Sequence, residues 1–444
     1  MRIAVVGSGG REHALLVTLA QSPDVDRLFA VPGNAGTAEV AENVQGLGVT
    51  DAAGLADFAE RRRIDLTIIG PELPLVAGVA DEFLDRGLPV FGPTAAAARI
   101  EGSKAFAKEV MAAAGVPAAH SETFTDPGAA VAALDGFGPP WVVKADGLAA
   151  GKGVTVTDDH AAARAAIEAA LVGRVHGEAG ARILLEEYLE GPEASVFAVT
   201  DGRTVLPLAP ARDHKRIGDG DTGPNTGGMG AYSPVPDVDD ELVDAVRRTV
   251  LEPTVAELAR RGARYQGLLY AGLTLTAAGP KVLEFNCRFG DPETQAILPR
   301  ITTDLADLAW AAAEGTLAGC KVSWDPRACV TVVLAAGGYP GSYRTGLEVE
   351  GLQAAAAEPG VHLFHAGTAL DRAGRVRTTG GRVLGVTALG DDLADARARA
   401  YQAAELPMCS ARTPGRLVAM SPATRPATSG ALASASRTTM GTRQ

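Results

Sequence analysis

Short apolar runs alternate with glycine-rich turns and helical segments along the first hundred residues. Residues 2–6 predict a strand that ends in a glycine cluster, and Leu15, Leu16 and Leu19 follow at the spacing of a helix. Three further apolar runs predict strands at residues 28–31, 65–69 and 89–91. This repeat of strand, turn and helix is typical of a parallel α/β sheet, in which ligands bind at the carboxyl ends of the strands.

The middle of the chain has a different pattern. Apolar strands are predicted at residues 141–144, 183–187 and 281–285, and each runs into a polar or glycine-rich segment. Short strands and turns return over residues 328–402. The changes of pattern predict separate domains.

Two segments lack the apolar period of a helix or a strand. Residues 213–234 are rich in glycine and poor in apolar side chains, which predicts either a functional lid or a disordered linker. Residues 411–444 contain five Arg and no acidic residue among Ala, Ser, Thr, Pro and Gly. That composition predicts a disordered tail.

Length and charge narrow the possible functions. At roughly 150 residues per domain, 444 residues suggest about three domains. The balance of 41 Lys and Arg against 53 Asp and Glu leaves a net charge of −12, which argues against a nucleic-acid or membrane partner. The four Cys have no metal-binding spacing, and no apolar run is long enough to span a membrane, so we expect a soluble cytoplasmic protein.

The first glycine cluster resembles a dinucleotide-binding turn but departs from its pattern. Gly7 and Gly9 fit G-x-G-x-x-G, whereas Glu12 stands at the last position. The turn at residues 32–34 also lacks the acidic residue that holds a ribose hydroxyl. An NAD site is therefore disfavoured, and we expect the turn to present backbone N–H groups to a phosphate.

A second glycine-rich loop follows the strand that ends at Lys144. Only three residues separate Gly147 from Gly151, and Lys152 is followed by Gly153, so the loop is not a Walker A motif. Backbone N–H groups and a lysine can still cradle phosphates, and a surface hairpin would not need Lys144 at the end of an apolar strand.

A third constellation ends the strand near residue 285. Glu284 and Asn286 lie on one face because side chains alternate along a strand, and their oxygens suit Mg²⁺ beside phosphates. Arg288, Asp291 and Glu293 follow within seven residues. This density of charge around Phe and Pro indicates a site.

Taken together, the motifs resemble those of ATP-grasp ligases and, more closely, of the glycinamide ribonucleotide synthetase (phosphoribosylamine–glycine ligase) family. The matching segments run in family order over about residues 1–402, and the sequence TGPNTGGMGAY at residues 222–232 is especially specific. The other segments are GSGGREHA (7–14), GPE (70–72), EGSKAF (101–106), residues 144–154, DHKR (213–216), residues 284–293 and AAGGYPG (335–341).

The resemblance implies an α/β chain with an ATP-grasp fold. It implies an N-terminal parallel α/β (pre-ATP-grasp) domain at residues 1–102, which holds the substrate phosphate. The ATP-grasp domain would cover 103–327, with about 120–192 as a smaller nucleotide-covering subdomain. A small C-terminal α/β domain would cover 328–405, followed by an atypical, disordered tail at 406–444.

The implied reaction joins glycine to 5-phosphoribosylamine with ATP, through glycyl phosphate, in purine biosynthesis. The resemblance implies that these small molecules are the only partners, with no nucleic acid or membrane. It also implies that Mg²⁺ or Mn²⁺ is the metal cofactor and that the enzyme is a monomer. By resemblance, ATP is bound by Lys104, Lys144, Gly151, Lys152, Gly153, Glu186, Leu189 and Glu193, and the metal by Glu284 and Asn286. Arg288 would stabilise the acyl phosphate, Asp213, Lys215 and Asp291 would place glycine or the amine, and Gly9 and Gly10 would hold the ribose phosphate.

The chain departs from the family pattern after Tyr401. The family continues with an apolar strand, whereas this chain has Pro407-Met408-Cys409-Ser410 and the basic tail. Three alternatives remain at this point: an ATP-grasp ligase for another carboxylate, a Rossmann-type dehydrogenase, and a nucleotide-binding protein without catalysis. Glu12 already counts against the dehydrogenase.

Overall fold

A parallel sheet forms the N-terminal part of the chain. The computed structural model describes residues 1–149, 153–220 and 222–406, with the backbone of 408–409 and 417–418. The first strands are β1 (Arg2–Gly7), β2 (Arg27–Pro32), β3 (Glu42–Asn43), β4 (Leu66–Ile69) and β5 (Val90–Phe91). They lie in the order β3-β2-β1-β4-β5, and every neighbouring pair is parallel, which confirms the predicted sheet.

Helices connect these strands. They are α1 (Gly10–Leu19), α2 (Thr37–Val40), α3 (Ala52–Arg62), α4 (Glu72–Val76), α5 (Val79–Asp85) and α6 (Ala95–Gly102). The apolar face of α1 predicted from Leu15, Leu16 and Leu19 is fully buried. Because β1 runs into α1 and β4 into α4 at the carboxyl edge of the sheet, both turns face the same side of the molecule.

A small antiparallel subdomain follows. Helix α7 (Lys104–Ala114) leads into it and packs in the core shared by the N-terminal sheet and the next sheet. The elements of the subdomain are β6 (Ser121–Phe124), α8 (Pro127–Phe137), β7 (Trp141–Ala145), β8 (Val154–Thr157), α9 (His160–Leu171) and β9 (Ile183–Glu186). The strands lie in the order β6-β9-β7-β8. Helices α8 and α9 cover the sheet with a separate apolar core that includes Leu134, Trp141, Ile167 and Ile183.

The chain then builds a second antiparallel sheet. The elements are β10 (Glu193–Thr200), β11 (Val205–Pro207), β12 (Arg212–Asp213), β13 (Arg216–Gly218), β14 (Thr222–Asn225), β15 (Gly230–Ser233), α10 (Asp240–Val246), α11 (Glu252–Arg260), β16 (Gly267–Thr276) and β17 (Gly279–Asn286). The order β11-β10-β16-β17 forms this sheet. Its apolar side chains share cores with the N-terminal sheet, for example Leu269 and Phe285 with Phe29.

The C-terminal part closes a third large sheet. Its elements are α12 (Glu293–Ile297), α13 (Leu305–Glu314), β18 (Ala328–Ala336), β19 (Val349–Glu350), α14 (Leu352–Ala356), β20 (Val361–His365), β21 (Thr368–Leu370), β22 (Val376–Thr378), β23 (Arg382–Gly390), α15 (Leu393–Ala404), β24 (Met408–Cys409) and β25 (Leu417–Val418). The order is β12-β15-β18-β23-β20, with β25 paired to β18 and β24 paired to β19.

The glycine-rich stretch at residues 213–234 contains four short strands, so its interpretation as a disordered linker is wrong. It carries the β13–β14 hairpin, and β15 pairs with β18 from Gly230↔Val332 to Ser233↔Cys329. The strand therefore belongs to the C-terminal sheet although it lies about a hundred residues earlier in the chain. The tail at 406–444 was predicted to be disordered, but two short parts of it, β24 and β25, are paired strands. The other residues of 407–444 lie outside the described residues.

In the described part of the chain, no helix is both long enough and apolar enough to cross a bilayer.

Shortening Leu16 tests the packing of α1 between the N-terminal sheet and its neighbours. Leu16→Ala leaves a cavity at a fully buried position and should lower the free energy of unfolding by about 2–5 kcal/mol. Leu73→Ala is the matched control, because Leu73 is 53% exposed and its loss should cost less than about 0.5 kcal/mol. Urea unfolding followed by circular dichroism measures both, and equal midpoints for the two variants would contradict the packing described.

Candidate active site

A buried ion pair marks the cleft between the small subdomain and the second sheet. The Lys144 Nζ lies 2.7 Å from Glu186 Oε2, and both side chains are more than nine-tenths buried. Antiparallel pairing of Val142 with Glu186 places the two charged side chains on one face of the small sheet. Lys144 Nζ also lies 3.4 Å from the backbone oxygen of Leu283 on β17, so it spans the two sheets.

Lys104 enters the same cleft from the first turn of α7. Asp146 anchors that turn, because its Oδ1 accepts the Ala105 N–H at 2.7 Å and its Oδ2 accepts the Arg182 Nε–H at 2.8 Å. The Lys104 ammonium lies 3.5 Å from the Gly147 backbone oxygen. Burial lowers the pKa of Lys104, and nearby carboxylates, Glu284 first among them, oppose this shift.

The loop predicted to cover phosphates begins at the same place. Gly153 follows it, and the Gly153 backbone oxygen accepts the Ala145 N–H at 2.8 Å where β7 pairs with β8. Gly151 and Lys152 lie outside the described residues.

Lys108 is a largely buried lysine of this cleft that the sequence analysis missed. Its Nζ lies 3.5 Å from Glu186 Oε1 and donates to the Ala119 backbone oxygen at 3.2 Å. Burial lowers its pKa, with Glu186 opposing. The available signal was its position four residues after Lys104 on the same helix, which places both on one face.

The predicted ribose and adenine contacts follow β9 directly. Leu189 is buried, and Glu193 is exposed at the first residue of β10. Glu193 Oε2 lies 2.9 Å from Lys215 Nζ, which is 2.8 Å from Asp213 Oδ1. Burial alone would lower the pKa of Lys215, but the two carboxylates raise it well above its ordinary value, so the amine is a cation.

Glu284 and Asn286 end β17 on one face, as the alternation predicts. Within the described residues, neither side chain makes a hydrogen bond or ion pair, and no group of three or more His, Cys, Asp or Glu forms a metal cage. A carboxylate and an amide oxygen at a strand end fit Mg²⁺ or Mn²⁺ whose remaining ligands are phosphate oxygens and water.

Arg288 lies where the N-terminal sheet meets β17. Its guanidinium pairs with Glu72 Oε2 at 3.1 Å and Glu101 Oε1 at 2.8 Å, and Glu101 Oε2 accepts the Cys287 N–H at 2.7 Å. Burial would raise the pKa of Glu72, but Arg288 and Arg11 lower it to about 2. Both glutamates lie in segments that carry the family resemblance, yet no role was assigned to them from the sequence.

The turn at Gly9 and Gly10 is occupied by a side chain of its own helix. Glu12 Oε2 accepts the Gly9 N–H, and a Cβ on Gly7, Gly9 or Gly70 would come within 2.7 Å of Glu12 side-chain atoms. The glycines are thus needed for space around Glu12, and burial raises the pKa of this carboxyl. The Gly9 N–H, one of the backbone donors expected to bind a ribose phosphate, therefore already donates to Glu12.

Asp291 connects that turn to the C-terminal sheet. Its Oδ1 accepts from Gln295 Nε2 at 2.9 Å, and its Oδ2 lies 3.3 Å from Arg382. Burial would raise the pKa of Asp291, but Arg382 and Arg11 lower it. Arg382 also donates to the backbone oxygens of Asp291, Gly227 and Gly228. The sequence analysis missed Arg382, whose hydrogen bonds to Gly227 and Gly228 fix the segment between β14 and β15 to the C-terminal sheet.

Glu293 is a second buried carboxylate beside Asp213. The Tyr270 hydroxyl donates to Glu293 Oε1 at 2.7 Å and lies 2.7 Å from Ser195 Oγ. Burial and the neighbouring Asp213 raise the pKa of Glu293. Asp213, Lys215 and Glu293 therefore form one cluster, whereas Asp291 and Arg288 lie in other networks of the same junction.

Two buried histidines join the N-terminal turn to the C-terminal sheet. The His365 backbone N–H donates to His13 Nδ1 at 2.9 Å, and the Asn34 amide bridges the Ser8 and His365 backbone oxygens. Burial lowers the pKa of His13 to about 3 and that of His365 to about 4. Both rings are neutral near pH 7.

Known proteins share this arrangement. Family profiles match the phosphoribosylglycinamide synthetase N domain over residues 1–101, its ATP-grasp (A) domain over 102–294 and its C domain over 329–413. The phosphoribosylamine–glycine ligase of Streptomyces coelicolor is 55% identical over 406 residues, 91% of this chain and 95% of that protein. The ligase of Salmonella typhimurium is 53% identical over 403 residues, 90% of this chain and 94% of that protein.

Solved structures give the same result for the fold. A crystal structure of phosphoribosylamine–glycine ligase from Thermotoga maritima has a TM-score of 0.80 at 32% identity and covers 95% of this chain and 99% of that one. A biotin carboxylase from Campylobacter jejuni has a TM-score of 0.72 at 14% identity, over 94% of this chain and 92% of that one, and shares the fold alone. The predicted ATP-grasp fold is confirmed.

Acid should destabilise the protein through the buried histidines. An unfolded chain binds protons on His13 and His365 below a pH of about 6.5, whereas the folded chain leaves both rings neutral. Stability should therefore fall as the pH drops from about 6.5 towards 4, by up to about 1.4 kcal/mol per pH unit for each histidine. Urea unfolding at a series of pH values measures this slope.

His13→Asn keeps an acceptor for the His365 N–H but removes the titrating ring, so it should make the slope shallower. His120→Asn, at an exposed position, serves as the control and should keep the wild-type slope. An unchanged slope in His13→Asn would rule out His13 as a source of the acid sensitivity.

Proposed function

The chain belongs to the phosphoribosylglycinamide synthetase family and ligates glycine to 5-phosphoribosylamine with ATP, and we propose that glycyl phosphate is its intermediate. The reaction is a step of purine biosynthesis. A free carboxylate is a poor acyl donor. A glycine carboxylate oxygen therefore attacks the γ-phosphorus of ATP and ADP leaves. The amine nitrogen of phosphoribosylamine then attacks the carbonyl carbon, and phosphate leaves.

The nucleotide lies in the cleft between the small subdomain and the second sheet. Lys104 and Lys144 bind its phosphates, and the glycine-rich loop with Gly151, Lys152 and Gly153 closes over them. The base meets Glu186 and the backbone at Leu189, and Glu193 bonds the ribose hydroxyls. The observation that carries this proposal is that Lys104 and Lys144 face β17 across one cleft: Lys144 reaches Leu283, and Glu284 acts on the pKa of Lys104.

Glu284 and Asn286 would hold Mg²⁺ or Mn²⁺ at this point of the cleft. The ion supplies positive charge that offsets the phosphate oxygens during phosphoryl transfer. The free oxygens of both side chains on one strand face support the assignment.

The acyl phosphate forms where the three sheets meet. Arg288 is held by Glu72 and Glu101 in a fixed orientation, from which it stabilises charge on the acyl phosphate. The cluster of Asp213 and Lys215, with Asp291 across the junction, places glycine and the amine.

The ribose 5-phosphate of the acceptor meets the turn at Gly9 and Gly10, where the Gly9 N–H is already bonded to Glu12. Of residues 213–234, β15 is held in the C-terminal sheet and Arg382 fastens the segment after β14, so the β13–β14 hairpin is the part that acts as a lid and excludes water from the acyl phosphate. We further propose a cytoplasmic monomer, since one chain supplies the whole site and its described free cysteines suit a reducing compartment.

Release of ADP tests the reaction directly. We expect ADP only when ATP, Mg²⁺, glycine and freshly made phosphoribosylamine are all present, with glycinamide ribonucleotide formed in equal amount. Replacing glycine by other small amino or carboxylic acids is the control, because an enzyme for another carboxylate would release ADP with that acid instead. Folded protein that binds ATP but releases no ADP under any combination would refute the activity.

Glu284→Ala tests the metal site. Removing the carboxylate should lower kcat by about 100-fold or more, because uncompensated charge builds on the transferred phosphoryl group. The fold should persist, since Glu284 has no hydrogen-bonded partner among the described residues. Glu122→Ala, an exposed glutamate on β6, is the matched control and should keep full activity. Wild-type turnover by Glu284→Ala at limiting Mg²⁺ would disprove the assignment.

A further inference from the structure

We propose that Lys108 is a positioning residue for nucleotide recognition, which holds the Glu186 carboxylate in place and thereby sets the preference for an adenine base. The inference rests on the nucleotide site proposed above and adds a residue to it. Lys108 lies on α7 one turn after Lys104, whereas the other proposed nucleotide ligands lie on strands and loops.

Geometry separates the tasks of the two lysines around Glu186. Lys144 Nζ lies 2.7 Å from Oε2, and Lys108 Nζ lies 3.5 Å from Oε1. The carboxylate is 2% exposed, so it lies between two cations with almost no water. A buried carboxylate needs such partners, because losing one leaves uncompensated charge in a medium of low polarity.

The oxygen nearest Lys108 keeps a free acceptor position. Glu186 Oε1 is buried and, among the described residues, has no hydrogen-bond partner. The Lys108 ammonium instead donates to the Ala119 backbone oxygen at 3.2 Å. Lys108 thus supplies charge to Oε1 without filling its hydrogen-bonding site. A buried acceptor in this state calls for a donor from a ligand, and the exocyclic amine of adenine is a donor of that kind.

Phosphate binding makes Lys108 necessary. Lys144 is shared between Glu186 and the phosphates that it would bind, so part of its charge is withdrawn from the carboxylate when nucleotide enters. Lys108 has no phosphate task, since its other contact is the Ala119 backbone. It therefore keeps the Glu186 carboxylate oriented in the bound state.

The test compares binding of ADP and inosine diphosphate, each with Mg²⁺, by calorimetry. Inosine diphosphate has an acceptor oxygen where ADP has the donor amine, so it offers no donor to the free acceptor position of Glu186 Oε1. Lys108→Met should weaken ADP binding by about tenfold or more, because a charge-assisted contact is lost. It should weaken inosine diphosphate less, so the ADP preference shrinks. In turnover, KM for ATP should rise while kcat changes little.

Matched variants separate positioning from stability. Lys108→Arg keeps the charge and should retain more of the ADP preference than Lys108→Met. Lys281→Met is the matched control, because it removes a similar ion pair at the neighbouring glutamate: Lys281 Nζ lies 3.4 Å from Glu187 Oε2. This variant should leave the ADP preference unchanged. If Lys108→Met does not fold, Lys108→Gln takes its place, since its amide can still donate to the Ala119 oxygen.

An unchanged ADP preference in Lys108→Met or Lys108→Gln would overturn the proposal, as would a loss of thermal stability with the preference intact. Because binding is measured without glycine and phosphoribosylamine, failure of the ligase reaction would not be mistaken for failure of this inference.

Discussion

The pairing of Arg288 with Glu72 and Glu101 is the interaction on which the site depends. A buried guanidinium requires anionic partners, and both partners come from the N-terminal domain, whereas Arg288 follows β17 of the second sheet. The pair therefore sets the position of one domain against the other. Arg11 extends the network by approaching Glu72 at 3.5 Å and donating to the Phe289 backbone oxygen at 2.9 Å.

Two further groups of buried ion pairs meet the same requirement for compensated charge, one around Glu186 and one around Asp291. On the nucleotide side, Glu186 is buried between Lys108 and Lys144, and the pairs join α7, β7 and β9. On the acceptor side, Asp291 and Arg382 connect the loop before α12 to β23. Each pair fastens a segment of the proposed site, so the fold itself holds the proposed site residues in position.

Separate cores explain which part is able to move. The small subdomain has its own apolar core, whereas the N-terminal sheet and the second sheet share theirs. A shared core resists relative motion, because separating the sheets would expose apolar side chains to water. Closure over the nucleotide is therefore expected in the small subdomain, whose links to the rest include polar contacts such as Lys144 with the Leu283 backbone oxygen and Glu187 with Lys281.

Much of this protein was predictable from sequence because its signals are local. The period of Leu15, Leu16 and Leu19 predicted α1, and alternation along β17 placed Glu284 and Asn286 on one face. The ordered motifs identified the ATP-grasp fold and the ligase reaction.

Tertiary structure alone decided which distant segments meet. It brought together Arg382 and Asp291, which are 91 residues apart in the sequence, and β15 and β18, which are about a hundred residues apart. It also placed Lys108 of α7 next to Glu186. Such pairs depend on the path of the whole chain and on the need to compensate buried charge, neither of which leaves a periodic pattern in the sequence.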